Sequence, residues 1–215
     1  MIFQFSRRIA IALLLMVPGG LAAADYSTDQ VLEARVEKDA WMRDDESSPF
    51  NLEKHPVVFA PLRYFAPSSA WRFQSRLTTL THPEPVTIFD TKGRERQGHL
   101  YGSLTFAHDG QAHVVRVYRM ETSDGYYYGI WFTDRTTGDS TYEVGRYLDF
   151  ELSEEPDHVY TLDFNGAYNP YCAYSPAYGC AIPRQEDFLD LAITAGEQRW
   201  HDAHSRAKSQ VSGLK

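Results

Sequence analysis

Beyond Trp71 the hydrophobic positions recur with period two. In WRFQSRLTTL, Trp71, Phe73 and Leu77 share one face while Arg72, Gln74 and Arg76 share the other, as in an antiparallel strand with one buried side. HPEP then predicts a turn, VTIFD a second strand and TKGRER another turn. GHLYGSLTFA alternates with Leu100, Leu104 and Phe106 inward. HVVRVYRM answers it across Asp109-Gly110, a dipeptide suited to a two-residue hairpin. Asp124-Gly125 repeats that signal before YYYGIWFTD, where Ile130 and Phe132 fall on one side and Trp131 on the other. DRTTGDS reads as a turn, and TYEVGRYLDF, HVYTLDFN and LDLAITAGEQ supply the remaining strands.

Ahead of the strands, Ser27 to about Met42 predicts one helix. Ser27, Thr28 and Asp29 suit its N-cap, and Leu32, Val36 and Ala40 recur at helical spacing. Pro49 forbids its continuation, and Pro56, Pro61 and Pro67 make the next segment irregular, laid across the outside of a sheet. Seven or eight short strands after one helix, with no internal repeat, predict an all-β fold, mostly antiparallel and barrel- or sandwich-like. The expected domain covers residues 25–200, and the polar, aperiodic stretch 201–215 predicts a disordered tail.

The first 24 residues change the picture of where this domain works. Arg7 and Arg8 precede an apolar run from Ile9 to Val17, and Ala22-Ala23-Ala24 offers small residues for cleavage after Ala24. That is the pattern of a signal peptide for the periplasm or secretion, too short to span a bilayer, where about 20 apolar residues are needed. Arg7 and Arg8 are the only charges in the segment, so its removal takes the formal charge from -8 to -10. An acidic surface argues against nucleic acid, whose phosphates need clustered Lys and Arg. No stretch of the mature chain predicts a membrane span, and the sequence leaves the oligomeric state open.

The only two cysteines, Cys172 and Cys180, lie in TLDFNGAYNPYCAYSPAYGC. After export, one pair most simply forms one disulfide, which for a loop this short stabilises by about 2.5 kcal/mol. The competing reading is a zinc site, which would need two more ligands and a less unusual spacing. We expect the disulfide and no metal or cofactor.

Three stretches, FTDRTTGDSTYEVGRYLDF, LDFNGAYNPYCAY and CAIPRQEDFLDLAITAGE, together resemble the DUF1684 family of uncharacterised proteins. Asp134, Thr136, Gly138, Thr141, Tyr142 and the run Gly145 to Leu148 match its first motif block. Leu162 to Asn165, Ala167 to Pro170 and Cys172 to Tyr174 match the second. Cys180, Ile182, Pro183, Glu186 and Leu189 fit the third loosely, with Ala181, Arg184 and Asp187 departing from it, and Ala195-Gly196-Glu197 fits the end. The resemblance covers most of the mature chain and implies one intact domain, without an established activity.

Within these blocks Tyr142, Arg146, Asp163, Asn165, Tyr168, Asn169, Glu186 and Glu197 form the candidate ligand site. A guanidinium grips carboxylates by paired hydrogen bonds, amides fix sugar or peptide groups, and tyrosines add flat area with a polar tip. The structural alternative stands beside it. Asp163 and Asn165 would cap a turn, and Arg146 would be the buried counter-ion of Asp163. No G-x-S-x-G, Gly-rich phosphate loop or H-E-x-x-H is present. The expectation is an exported domain binding a small polar ligand. The alternatives are a hydrolase using Asp163, Glu186 or Glu197 with Arg146, and a structural envelope protein. The binding alternative predicts a pocket rimmed by tyrosines.

Overall fold

The alternating segments become strands. The computed structural model describes residues 26–201, so the expected signal peptide, and the expected tail after its first residue, lie outside the described residues. One helix, α1 (Thr28–Asp44), precedes β1 (Arg72–Arg76), β2 (Thr78–Phe89), β3 (Glu95–His108), β4 (Gln111–Thr122), β5 (Gly125–Asp134), β6 (Arg146–Asp149), β7 (Val159–Asp163) and β8 (Phe188–Leu189). The main sheet runs β2-β3-β4-β5-β6, all antiparallel, with β8 added parallel to the end of β5. β1 and β7 form a separate antiparallel pair facing it. The result is an all-β curled half-barrel with one N-terminal helix, which does not close on itself.

Both Asp-Gly hairpins form where expected, with Asp109 and Gly110 at φ 48° and 75° in the first. HPEP does not turn the chain. It lies inside β2, and the register with β3 slips between Thr79 and Glu84 to accommodate it. β2 is an edge strand, where a proline's missing N–H costs no ladder bond. The last expected strand shrinks to Phe188–Leu189, and TYEVGRYLDF is a strand only over Arg146–Asp149.

One face of the main sheet holds the larger core. Leu104, Phe106, Val115, Val117, Ile130 and Phe132 pack against Trp71, Leu162 and Phe164 from the facing layer. Phe164 is the hub, with ring centroids 5.2 Å from Phe106 and 5.4 Å from Phe132. Each such buried side chain contributes about 1.5–3 kcal/mol.

Helix α1 docks differently from its sequence pattern. The Ser27 hydroxyl accepts from the Gln30 N–H, as an N-cap should. Leu32 and Val36, the expected inner face, are 46% and 70% exposed. The face actually applied carries Arg35, Lys38 and Met42. Arg35 donates to the Phe65 carbonyl at 2.9 Å and lies over the Tyr64 ring, while Lys38 reaches Glu197 at 2.7 Å. The helix is held by these charges and by Met42, which is buried with Phe50, Leu62, Tyr142, Tyr174 and Trp200, in an irregular layer rather than on the main sheet. That layer, residues 63–65, runs beside 196–198 through a bridge between Tyr64 and Glu197.

Arg146 is 1% exposed and ties these parts together. Its Nη2 donates to Asp134 Oδ2 at 2.7 Å and to the Ile193 carbonyl at 2.9 Å. Nη1 donates to the Ala195 carbonyl at 2.5 Å and the Glu197 carbonyl at 3.3 Å. Asp134 in turn accepts from the Thr136 N–H and hydroxyl, and Thr136 meets Thr141 at 3.0 Å. Gly196 sits at φ 73°, against the Ala167 carbonyl, where a side chain would collide. The expected counter-ion, Asp163, instead faces Arg72 at 3.5 Å and caps the turn at Phe164–Gly166.

Breaking a buried pair on one side typically costs about 3–5 kcal/mol, because the remaining charge stays buried. Arg146→Met should therefore shift the urea midpoint down by a loss of that size, whereas Arg72→Met, at a partly exposed pair, should cost about 1 kcal/mol or less. Equal small losses in both would remove Arg146 from its central structural role.

Candidate functional site

The eight candidate residues do not form one site. Arg146 is enclosed as described. Glu197 lies next to it, with Oε2 accepting from the Asn169 N–H at 2.8 Å and the Tyr174 hydroxyl at 2.5 Å. Asn169 also donates to the Gln198 carbonyl, so three candidates form one buried structural group. Asn165 exchanges hydrogen bonds with the Ser68 backbone and donates from its N–H and Nδ2 to Asp163 Oδ1, which caps its turn. Glu186 is exposed and meets Arg184 at 3.3 Å. Tyr142 is buried, with its hydroxyl 3.7 Å from the Cys172 Sγ. Asp163, Glu186 and Glu197 thus occupy separate environments, which is not the facing carboxylate pair a glycoside hydrolase requires.

Tyr168 alone opens into a cleft of about 850 Å³ on the sheet face opposite the larger core. Its floor is Trp131 and Tyr127 from β5, Tyr147 and Asp149 from β6. The alternation of β5 that buries Ile130 and Phe132 on one side necessarily turns Trp131 to the other. Trp131 stacks on Tyr118 at 4.8 Å and lies beside Tyr147. Gly129 leaves room for the Tyr127 ring, since a Cβ there would sit 2.8 Å from it. The opposing wall comes from α1 and from the segment after β7. Trp41 stacks on Tyr171 at 6.2 Å and 22°, and Tyr171 meets Tyr178 edge-on at 5.1 Å.

The polar groups in this cleft are mostly committed. The Tyr168 hydroxyl donates to Asp149 at 2.7 Å, beside the Tyr127 hydroxyl. Tyr147 donates to the Ala181 carbonyl at 2.5 Å. Burial, reinforced by neighbouring Tyr127 and Asp149, pushes the Tyr168 phenol far above its ordinary pKa, and burial does the same to Tyr147. These rings therefore keep their O–H at any physiological pH. Lys38 is bound to Glu197 and stands 4.6 Å from the Tyr168 ring centroid. Trp131 is 3% exposed, and its indole N–H meets no acceptor. A large aromatic on the face that alternation assigns to solvent was the available sequence signal for this floor. Trp41, Arg96 and Tyr171 gave none, because they join the cleft only through tertiary folding.

The two cysteines sit at one edge of this cleft, which Cys180 helps to line. Both are partly buried free thiols here, and the Cys172 N–H donates to the Cys180 Sγ at 3.1 Å. The hydrogen bond from the Cys180 thiol, with a further one from Tyr142, outweighs burial and brings the Cys172 thiol down to about 7. Their loop is anchored on the β2–β3 turn, where the Thr91 N–H donates to the Cys180 carbonyl at 3.0 Å. That turn is built around the buried Asp90 carboxylate, which accepts from the Lys92 and Arg94 N–H groups and from Arg94 Nε. Among the described residues no three His, Cys, Asp or Glu gather as they would around a metal. His108 packs on Trp71 at 4.2 Å and His113 on Phe106 at 5.2 Å.

A curled antiparallel half-barrel with an aromatic cleft on one face is the class of protein these features define. Residues 57–198 match the family described as "Protein of unknown function (DUF1684)", and the chain belongs to that family. It is also similar to an uncharacterised protein of Haloarcula marismortui, solved by solution NMR. The two share 31% identity and a TM-score of 0.59, over 79% of this chain and 92% of that one. No curated protein matches the chain.

Asp90 gives the loop anchor a pH signature. Burial alone would raise its pKa, but the hydrogen bonds from Arg94 and Lys92 win and hold it at about 2. An unfolded aspartate titrates near ~3.9. The stabilisation is therefore fully present above about pH 4 and is lost as the pH falls towards 2. Asp90→Asn should be less stable than the parent at neutral pH and should show a flatter stability curve between about pH 4 and pH 2 in thermal melts. Parallel curves would remove Asp90 from that role.

Proposed function

We propose that this is an exported domain that binds a small polar ligand in the tyrosine-walled cleft, with Cys172 and Cys180 joined as a disulfide at its edge. The cleft carries the reading. It combines a concave shape, a volume of about 850 Å³, several aromatic walls and a few convergent polar groups, the usual combination for small-molecule sites of roughly 300–1,000 Å³. The basic, apolar and small-residue sequence of the first 24 residues supports export to the periplasm or beyond. The Cys172 N–H to Cys180 Sγ contact supports the bridge, since it sets the two sulfur-bearing residues side by side. In an oxidising compartment such neighbours join. The disulfide would tie Tyr171 and Tyr178 into one braced loop on the cleft wall.

Protein exported to a periplasm and purified without reductant should start at Asp25 and show no free thiol under denaturation, and two after reduction. Two free thiols in the unreduced sample would remove the bridge. For binding, a chemically broad panel of sugars, amino acids, nucleotides, organic acids and amines is screened by thermal shift. A ligand at a hundred times its Kd should raise Tm by roughly 5–10 °C in a domain of this size. Tyr171→Ala should cut the shift at the same ligand concentration by about half, without lowering the ligand-free Tm by a comparable amount. A panel with no stabilising compound, or stabilisation indifferent to Tyr171, would overturn the reading.

A further inference from the structure

The charges around the cleft narrow what it can take, and we infer that its ligand is a neutral oligosaccharide, an inference that rests on the binding reading above. An anionic ligand needs a free cation. Lys38 is already bound to the buried Glu197 at 2.7 Å, and Arg96 leans on the buried Asp90 at 3.5 Å and the Gly179 carbonyl at 3.4 Å. Asp149 and Glu121 stand in the same lining as Lys38 and Arg96, so its charges balance and an entering phosphate or carboxylate gains no net attraction.

A cationic ligand meets the opposite obstacle. Quaternary amines are held against the faces of aromatic rings. The Lys38 ammonium already stands over the Tyr168 face at 4.6 Å, and one face of Trp131 is covered by Tyr118 at 4.8 Å and 7°. A second cation at this floor would stand beside Lys38, and the balanced charges of the lining give it no net attraction elsewhere in the cleft.

What remains is a neutral molecule with many hydroxyls and an apolar ring face. The near-parallel pair Trp41 and Tyr171 offers flat area to the C–H face of a sugar ring. Asp149 accepts hydrogen bonds, Gln97 offers both donor and acceptor, and Thr122 either. These mixed groups suit adjacent sugar hydroxyls, which donate and accept at once. A volume of about 850 Å³ lies near the upper end of the roughly 300–1,000 Å³ range for small-molecule sites, which favours several sugar rings over one.

The test is an array of oligosaccharides with neutral, acidic and cationic members, covering α- and β-linked glycans of glucose, galactose, mannose and N-acetylglucosamine. Positives are titrated by calorimetry. The expected result is saturable binding of a neutral di- or trisaccharide and no binding of its uronic acid or deacetylated amino counterparts. Tyr171→Ala should weaken it by about tenfold, as the loss of one stacked ring implies. Should Tyr171→Ala fold poorly, Gln97→Ala on the exposed strand surface should weaken binding severalfold, with Tm unchanged. Binding confined to charged glycans, or neutral binding indifferent to both variants, overturns the inference. A blank array together with a different hit in the broad small-molecule panel sinks the saccharide and leaves the cleft as a binding site. Blanks in both sink the two readings together.

Discussion

A single buried guanidinium organises this molecule. Arg146 opens β6 and reaches across to Asp134 at the end of β5 and to three carbonyls of the 193–197 segment. A stretch of chain with no ladder of its own must have its carbonyls satisfied some other way. Here one side chain supplies the donors. Burial works against the guanidinium and tends to lower its pKa, while the Asp134 carboxylate opposes that shift. The pair therefore contributes little net stabilisation compared with an apolar replacement of both partners. With the charge in place, the Ile193, Ala195 and Glu197 carbonyls all have a donor.

From that fixed segment the order spreads outward. Glu197 is held through its backbone by Arg146, and its carboxylate then fixes three other parts of the chain: the Asn169 N–H, the Tyr174 hydroxyl and Lys38 of the helix. Asn169 is adjacent to Tyr168, whose N–H and carbonyl pair with those of Tyr147 on β6. The cleft wall is thus two steps from the guanidinium, and the helix is attached through the same carboxylate.

How far the sequence reveals this depends on which force shaped each part. Strands β3, β4 and β5 were legible because one face of each is packed on an apolar core, which imposes alternation on Leu104, Phe106, Ile130 and Phe132. HPEP misled because its prolines lie on an edge strand, where the turn signal has no consequence. Helix α1 was legible in extent but not in orientation. Its docking rests on Arg35, Lys38 and the buried Met42, and Leu32 and Val36 carry no packing information. The motif blocks did point to residues that matter: Arg146, Asn169 and Glu197 are buried and joined in one hydrogen-bonded group. Its ion partner was misassigned because Asp134 and Asp163 are equally close in chemistry, and only the registry of β5 against β6 separates them.

The cleft was partly hidden for a related reason. Its walls come from α1, β5, β6 and the loop after β7, which share no local pattern. Association costs free energy for every side chain that must be ordered on binding. In this cleft much of that ordering is already in place. Tyr168 is fixed at its backbone by Tyr147 and at its hydroxyl by Asp149, and Lys38 is pinned by Glu197. The neutral ligand proposed above would form individually weak contacts and so would gain most from walls already in position. The buried ion pair, outside the cleft lining, is what sets those walls through Glu197.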